Sequence, residues 1–412
     1  MIETILFSLL GIAVGVAVGL LPGMHINNIL PLILSLSFLF SSPYSLTVFI
    51  ISIAVTQIFI GYICSIFLGA PDGDTALSVL PGHRMLLDGR GYEAIKLTVI
   101  GGIGSLVFSI IFISVFGGVF SWIYEVSRPY IHFVISAVVI LMVALEKKLK
   151  RVLSAALIIF LSGFFGIVVL NSSIIPQDKV LFPVLTGLFG LSTIIVSISE
   201  KSKIPKQEDD TSLKISSKSI FKSIMLGTFA GLIVGLLPAI GVSQAATMVQ
   251  YLGATGEARS FLVTLSGINV GNEVFSLVSL FLVGNPRSGA SVAIQKIMTE
   301  LTFFDVVYIV GTICFVSGIA AILTLFLGKR IPKVLERLNY KFLSLAIISF
   351  VTSMVFLLTG IMGLLILFTS VSIGLLCAYL EIKRSHCMGV LLFPSILFFA
   401  GLNPLIISIL TI

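Results

Sequence analysis

GLLPGMHINN at residues 19–28 and GLLPAIGVSQ at residues 235–244 decide how this chain is read. Each closes an apolar run with a proline and continues into small and polar residues, where a membrane helix should stay apolar. Proline lacks the N–H that a helix interior needs, so Pro22 and Pro238 each stop a helix. Backbone freed at that depth is tolerated only when it is buried in protein or lines a wet cavity. The phrase belongs to a longer match. LGIAVGVAVGLLP (10–22) and LGTFAGLIVGLLP (226–238) agree at eight of thirteen positions. A second pair of landmarks follows in the same order, Gly69-Ala-Pro71 and Gly284-Asn-Pro286. Pro71 and Pro286 are read as a second pair of breaks.

The surroundings are strongly apolar. The chain has 412 residues, 57% hydrophobic and 10% charged, with a mean hydropathy of +1.18. A soluble domain carries about 25% charged residues. A spanning helix needs about 20 apolar residues, and such runs recur throughout, so the expected fold is an all-α polytopic membrane protein of about ten to twelve membrane segments. It lies in the cell membrane as a multi-pass protein in contact with the lipid bilayer. The first run, residues 5–21, has neither a basic leader nor a small-residue cleavage site and is read as part of the mature fold. The net charge of +7 sits in short loops, as the positive-inside rule expects, and does not point to nucleic acid. Cys64, Cys314, Cys377 and Cys387 lie in or beside apolar runs without paired spacing and read as small buried residues, with no metal site. There is no HExxH, GxSxG, Walker A or CxxC motif, so no enzyme signature competes.

Basic loops orient the chain. The clusters at 146–151, 201–222, 329–341 and 381–384 are assigned to the cytoplasm. Counting spans between them makes the first half start outside and the second half start inside. The same phrase then enters the membrane from opposite sides. Residues 1–199 form one transmembrane half and residues 223–412 the other. The polar segment 200–222 between them reads as a solvated cytoplasmic linker. Glycines at every fourth position before each break suit close helix packing. An inverted repeat with paired broken or re-entrant helices marks secondary transporters, with the substrate site at the repeat interface.

The breaks carry anion chemistry. Gly23, His25, Asn27 and Asn28 follow the first break, and Gly241, Ser243 and Gln244 follow the second. Amide and hydroxyl groups with the N–H groups of a new helix start suit an anion. His25 either adds a proton-dependent charge or is a neutral histidine bonded to a carbonyl; both readings stay open. The second landmarks lead into Asp72, Asp74 and Thr75 in one half and Asn285, Arg287 and Ser288 in the other. Arg287 suits a carboxylate or phosphate held through two hydrogen bonds. Asp72 and Asp74 with Thr75, and Asn272 with Glu273 in mid-run, suit a coupling sodium ion or proton, because carboxylates inside a membrane are expensive and usually functional. The alternative, ordinary surface turns rich in Pro, Gly and Asp, stays open. Thr56, Gln57 and Asn269 are also polar within runs and read as interhelical hydrogen-bonding residues.

Together these residues point to an ion-coupled secondary transporter of an organic anion, with no other cofactor, working by alternating access between the halves. A translocator of a lipid-linked phosphate or other anionic amphipath uses the same chemistry and remains the alternative. A scaffold has no reason to keep polar residues at mid-membrane.

Four stretches then carry a resemblance. The N-terminal break, LPGHRMLLDGRGYEAIKLTVIGGIGS (80–105), GLIVGLLPAIGVSQAATMVQYLGATGEA (231–258) and SGINVGNEVFSLVSLFLVGNPRSGAS (266–291) resemble the large permease subunit of tripartite tricarboxylate transporters, the TctA family. The likeness covers most of the chain and is strongest at 10–105 and 226–291. It implies ion-driven uptake of a di- or tricarboxylate by symport. The implied partners are a small membrane subunit and an extracytoplasmic binding protein, and a homodimer is compatible with it.

Overall fold

A computed structural model describes residues 2–404 apart from 22–23, 72–73, 120–121, 123–124, 127, 147, 173–174, 200–204, 209–211, 238–239, 252–256, 285, 299–300 and 336–339. Among the described residues there is no strand, and nine helices are long and apolar enough to cross a membrane. One of the nine, residues 344–379, changes direction at Gly360, and two shorter apolar helices, Ile131–Ala144 and Arg384–Phe399, accompany them. The chain is an all-α multi-pass membrane protein. Lipid-facing positions such as Phe133, Ile140, Phe160, Ile322 and Leu357 stay apolar and exposed, as expected where hydrocarbon replaces water as solvent.

The first half opens with α1 (Ile2–Leu20), α2 (Ile26–Ser35), α3 (Pro43–Ile63), α4 (Val79–Leu87) and α5 (Gly91–Phe116). It continues through α6 (Ile131–Ala144) and α7 (Leu149–Asn171) to α8 (Gln177–Leu185), which runs through a π-turn at Thr186–Leu191 into α9 (Ser192–Ser199). The second half opens in the same order with α10 (Ser217–Leu236), α11 (Val242–Tyr251), α12 (Ala258–Val283), α13 (Gly289–Ile297) and α14 (Phe303–Leu335). The kinked α15 (Tyr340–Tyr379) and α16 (Gly389–Phe399) complete it.

The glycine faces show how each half is built. Gly11, Gly15 and Gly19 of α1 press against Ser52, Thr56 and Ile60 of α3. Rising numbers meet rising numbers, so α1 and α3 run parallel. A chain that leaves α1 and joins α3 parallel to it must turn back in between, and α2 makes that return. The short α2 is ten residues long, about 15 Å at 1.5 Å per residue, so it goes only part of the way through a bilayer. The second half repeats the arrangement. Gly227, Gly231 and Gly235 of α10 meet Thr264, Gly271 and Phe275 of α12, and the ten-residue α11 returns between them. Each half therefore begins with a helical hairpin formed by a long helix and a short returning one.

The long helices fix the relation between the halves. Phe67 packs on Gly91 and Phe59 on Gly102, so α3 and α5 are antiparallel. Gly101 meets Val263, and Ser105 donates to the Gly267 carbonyl, so α5 and α12 are parallel. Hence α3 and α12 run in opposite directions. At one end Tyr44 donates to Asp305 at 2.7 Å. At the other end, the one the basic loops assign to the cytoplasm, Arg90, Glu93 and Arg259 cluster.

The linker departs from the solvated connector the sequence suggested. Gln207 is buried; its amide donates to the Leu86 and Pro205 carbonyls and its oxygen accepts from the Gly91 N–H at 2.9 Å. The Glu208 N–H donates to the Gly89 carbonyl at 2.8 Å. Polar composition predicts solvation, but Gln207 and the Glu208 N–H pair with orphan backbone groups between α4 and α5.

Candidate functional site

The hairpin tips meet. A cavity of about 250 Å³ is lined by His25, Asn27, Asp74, Gly241, Asn272, Glu273, Pro286, Arg287 and Ser288, together with Gln57 and Asn269. These residues come from both halves. The first residues of α2, α11 and α13 all reach it. Each helix start carries about half a positive charge on its unpaired N–H groups, so three such ends give an anion-attracting wall.

Local chemistry explains why the helices start there. His25 caps α2: its Nδ1 accepts from the Asn27 N–H at 3.2 Å, while Nε2 lies 3.4 Å from Asp74 Oδ2. Gln57 reaches across from α3 to accept from the Ile26 N–H at 3.4 Å. In the second half the Gln244 oxygen turns back to accept from the Gly241 N–H at 2.7 Å, the reach-back half of a capping box. Ser288 caps α13 in a full capping box with Ser291.

Arg287 stands on a hydroxyl cradle. Its N–H donates to Ser276 Oγ at 2.9 Å and to Ser291 Oγ at 3.0 Å, and its Nε donates to the Leu236 carbonyl at 3.1 Å. Leu236 ends α10, so the guanidinium neutralises a helix C-terminus in the cavity wall. Beside it, Glu273 is 5% exposed and accepts from Ser288 Oγ at 3.1 Å. The cavity thus holds a guanidinium and a buried carboxylate in one wall, and pairs His25 with Asp74. A pore wall carrying both signs can hold an anion and a cation side by side.

Both landmark turns end their helices alike. Gly69 and Gly284 have φ of +63° and +68°, the left-handed conformation that ends a helix and that glycine adopts without penalty.

Some expected residues lie elsewhere. Ser243 and Gln244 line an adjoining chamber of about 470 Å³ that shares Asp74, Ile240, Gly241 and Val242 with the central cavity. Thr75 is buried, its carbonyl accepting from the Ser65 and Ser78 hydroxyls, and is not in the cavity wall. Pro71 is buried against Gly190. Pro22, Gly23, Asp72, Pro238 and Asn285 lie outside the described residues, as does the side chain of Asn28. The cradle of Ser276, Ser291 and the Leu236 carbonyl was not foreseen. A serine in an apolar helix usually bonds its own preceding turn, so it gives no signal, and a backbone carbonyl gives none at all. Among the described residues no group of three His, Cys, Asp or Glu side chains could hold a metal ion.

Comparison with known proteins follows the same line. A model of the tripartite tricarboxylate transporter TctA family matches residues 5–389. An uncharacterized protein of Methanocaldococcus jannaschii is 34% identical over 409 residues, spanning 96% of this chain and 98% of the relative. No solved structure matches. The match runs from the first hairpin to the start of α16 and takes in every wall of the cavity, so the chain belongs to the TctA family, a family of transporters and not of enzymes.

Proposed function

We propose that this chain is the permease of an ion-coupled secondary transporter for an organic anion of the carboxylate class. The observation that carries it is the convergence of three helix N-termini and Arg287 on one cavity that also holds Glu273. Arg287 and the N-terminal N–H groups of α2, α11 and α13 hold the carboxylate. Glu273 and Asp74, with the amide oxygens of Asn27 and Asn272, serve the coupling ion. Both amide oxygens are buried without a hydrogen-bond partner among the described residues, and such oxygens are ligands for a hard cation. This favours sodium over a proton. The opposite directions of α3 and α12, each following its own hairpin, support two inverted repeats that rock or slide about this cavity to give alternating access. A small membrane subunit and an extracytoplasmic binding protein complete the tripartite assembly.

Uptake of labelled carboxylates into proteoliposomes tests the reading, with sodium or proton gradients imposed separately. Sodium-driven uptake that Arg287→Ala lowers at least about tenfold, the worth of one charge-assisted hydrogen bond, supports it. Uptake indifferent to both gradients and to Arg287 would sink it.

A further inference from the structure

The central cavity is not the whole of the space around the hairpin tips. The adjoining chamber of about 470 Å³ is almost twice as large as the central cavity of about 250 Å³. The two share Asp74, Ile240, Gly241 and Val242 in their walls, so they adjoin at the start of α11. Their walls differ in kind. The central part is lined by amides, carboxylates and Arg287. The adjoining part is lined mainly by apolar residues, among them Leu170, Val180, Leu185, Leu391, Pro394 and Phe398. Its polar groups are Ser243, Gln244 and Ser395, with Gln244 donating to the Ser395 hydroxyl, and Asn171 and Asn403.

Charge limits what the polar part can hold. Among the described lining residues of both chambers, Arg287 is the one guanidinium or ammonium, with His25 the other basic group and Asp74 and Glu273 the acids. That set suits one carboxylate beside a coupling ion. Three carboxylates on one small molecule would face two fixed acids with one guanidinium, and would leave a larger, mostly apolar chamber whose described lining offers them no cation.

We infer that the anion recognised here is amphipathic: a carboxylate head sits in the central cavity and an apolar body of several carbons occupies the chamber walled by α7, α8 and α16. The inference rests on the transporter reading above and narrows its substrate class. Apolar burial supplies the affinity for the body, and the helix ends and Arg287 supply it for the head. Each further methylene buried is worth about fourfold in affinity.

Competition against labelled phenylacetate, on the full chain in lipid nanodiscs at saturating sodium, is the test. Phenylacetate should bind about a hundredfold more tightly than acetate, which keeps the head and lacks the body. Leu181→Trp, at the partly exposed edge of the chamber, should reduce that ratio at least about tenfold. Leu391→Ala, which widens the chamber, should admit 2-naphthylacetate at the expense of phenylacetate; this second variant guards against a folding defect in the first. Acetate, succinate or citrate competing as well as phenylacetate, or a ratio indifferent to both substitutions, overturns the inference and leaves carboxylate transport standing. No binding of any carboxylate by folded protein, wild type and Arg287→Ala alike, overturns both.

Discussion

Arg287 is held at its backbone and its Nε before any substrate arrives, by Ser276, Ser291 and the Leu236 carbonyl. Preorganisation of this kind makes lysine a poor substitute, because an ammonium has no planar fork. Arg287→Lys is therefore expected to lower uptake about tenfold, with most of the loss in substrate affinity. A full rate at high substrate would support that division. Glu273→Gln keeps a partner for the Ser288 hydroxyl and removes the charge. Exchange of labelled for unlabelled substrate should persist, whereas gradient-driven accumulation should vanish; equal losses of both would remove Glu273 from the coupling role. His83 on α4 is a structural contrast. It is buried, and its Nδ1 lies 3.0 Å from the Ile66 carbonyl. Burial pushes its imidazole below the ordinary histidine value, so the folded protein resists a proton that the unfolded chain accepts near pH 6.5. Stability is then complete above that pH and falls as the pH drops through it. Melting of the detergent-solubilised protein between pH 7 and pH 5 should show this loss, and His83→Gln should reduce it. At this scale the sequence was most legible where a residue broke the apolar pattern. His25, Asp74, Glu273 and Arg287 were each singled out for that reason, and all four line one cavity. Gln57 and Asn269 were seen as embedded but assigned only to helix pairing, because their distance from the breaks is large in sequence and small only in the fold.

The helical hairpins depend on contacts too close for a side chain. A Cβ on Gly15 would lie 2.7 Å from the Thr56 Cβ and 2.9 Å from the Ile53 carbonyl oxygen. Gly15→Val should therefore separate α1 from α3 and reduce the yield of folded protein, which size-exclusion chromatography would show as aggregate; a monodisperse variant with native melting would contradict the close approach. Gly284 is a different case. Nothing lies within 4 Å of a Cβ placed there, so Gly284→Ala meets no clash and only the left-handed backbone resists it. The expected cost is about 1 kcal/mol, read as a small drop in melting temperature with transport retained. The spacing of these glycines was plain in the sequence, and so were the proline breaks. The return of α2 and α11 was one of two options there, broken or re-entrant. A break shows where a helix stops, but the direction in which the chain leaves depends on what it packs against. Ten residues are too few for a hydropathy pattern to separate a returning half-helix from a loop.

At the end the basic loops assign to the cytoplasm, a buried ion cluster joins the halves. Glu93 is 2% exposed and lies 2.9 Å from Arg90 and 2.9 Å from Arg259, and it accepts the Lys214 N–H at 2.8 Å. Removing one partner of a buried ion pair leaves the other uncompensated and typically costs about 3–5 kcal/mol. Glu93→Ala should accordingly destabilise the whole molecule, while Arg259→Ala, at the better-hydrated partner, should do less; the order of their melting temperatures checks this. Reading the linker as solvated missed the contact, since opposite charges far apart in sequence carry no sign of pairing. That cluster also sets a schedule for synthesis. Glu93 and Arg90 leave the ribosome long before residue 214 and residue 259, so the first half must wait in the membrane with a buried acid only half matched. It is a receptor for the second half before it is a domain, and maturation should stall on any truncation that ends before α12.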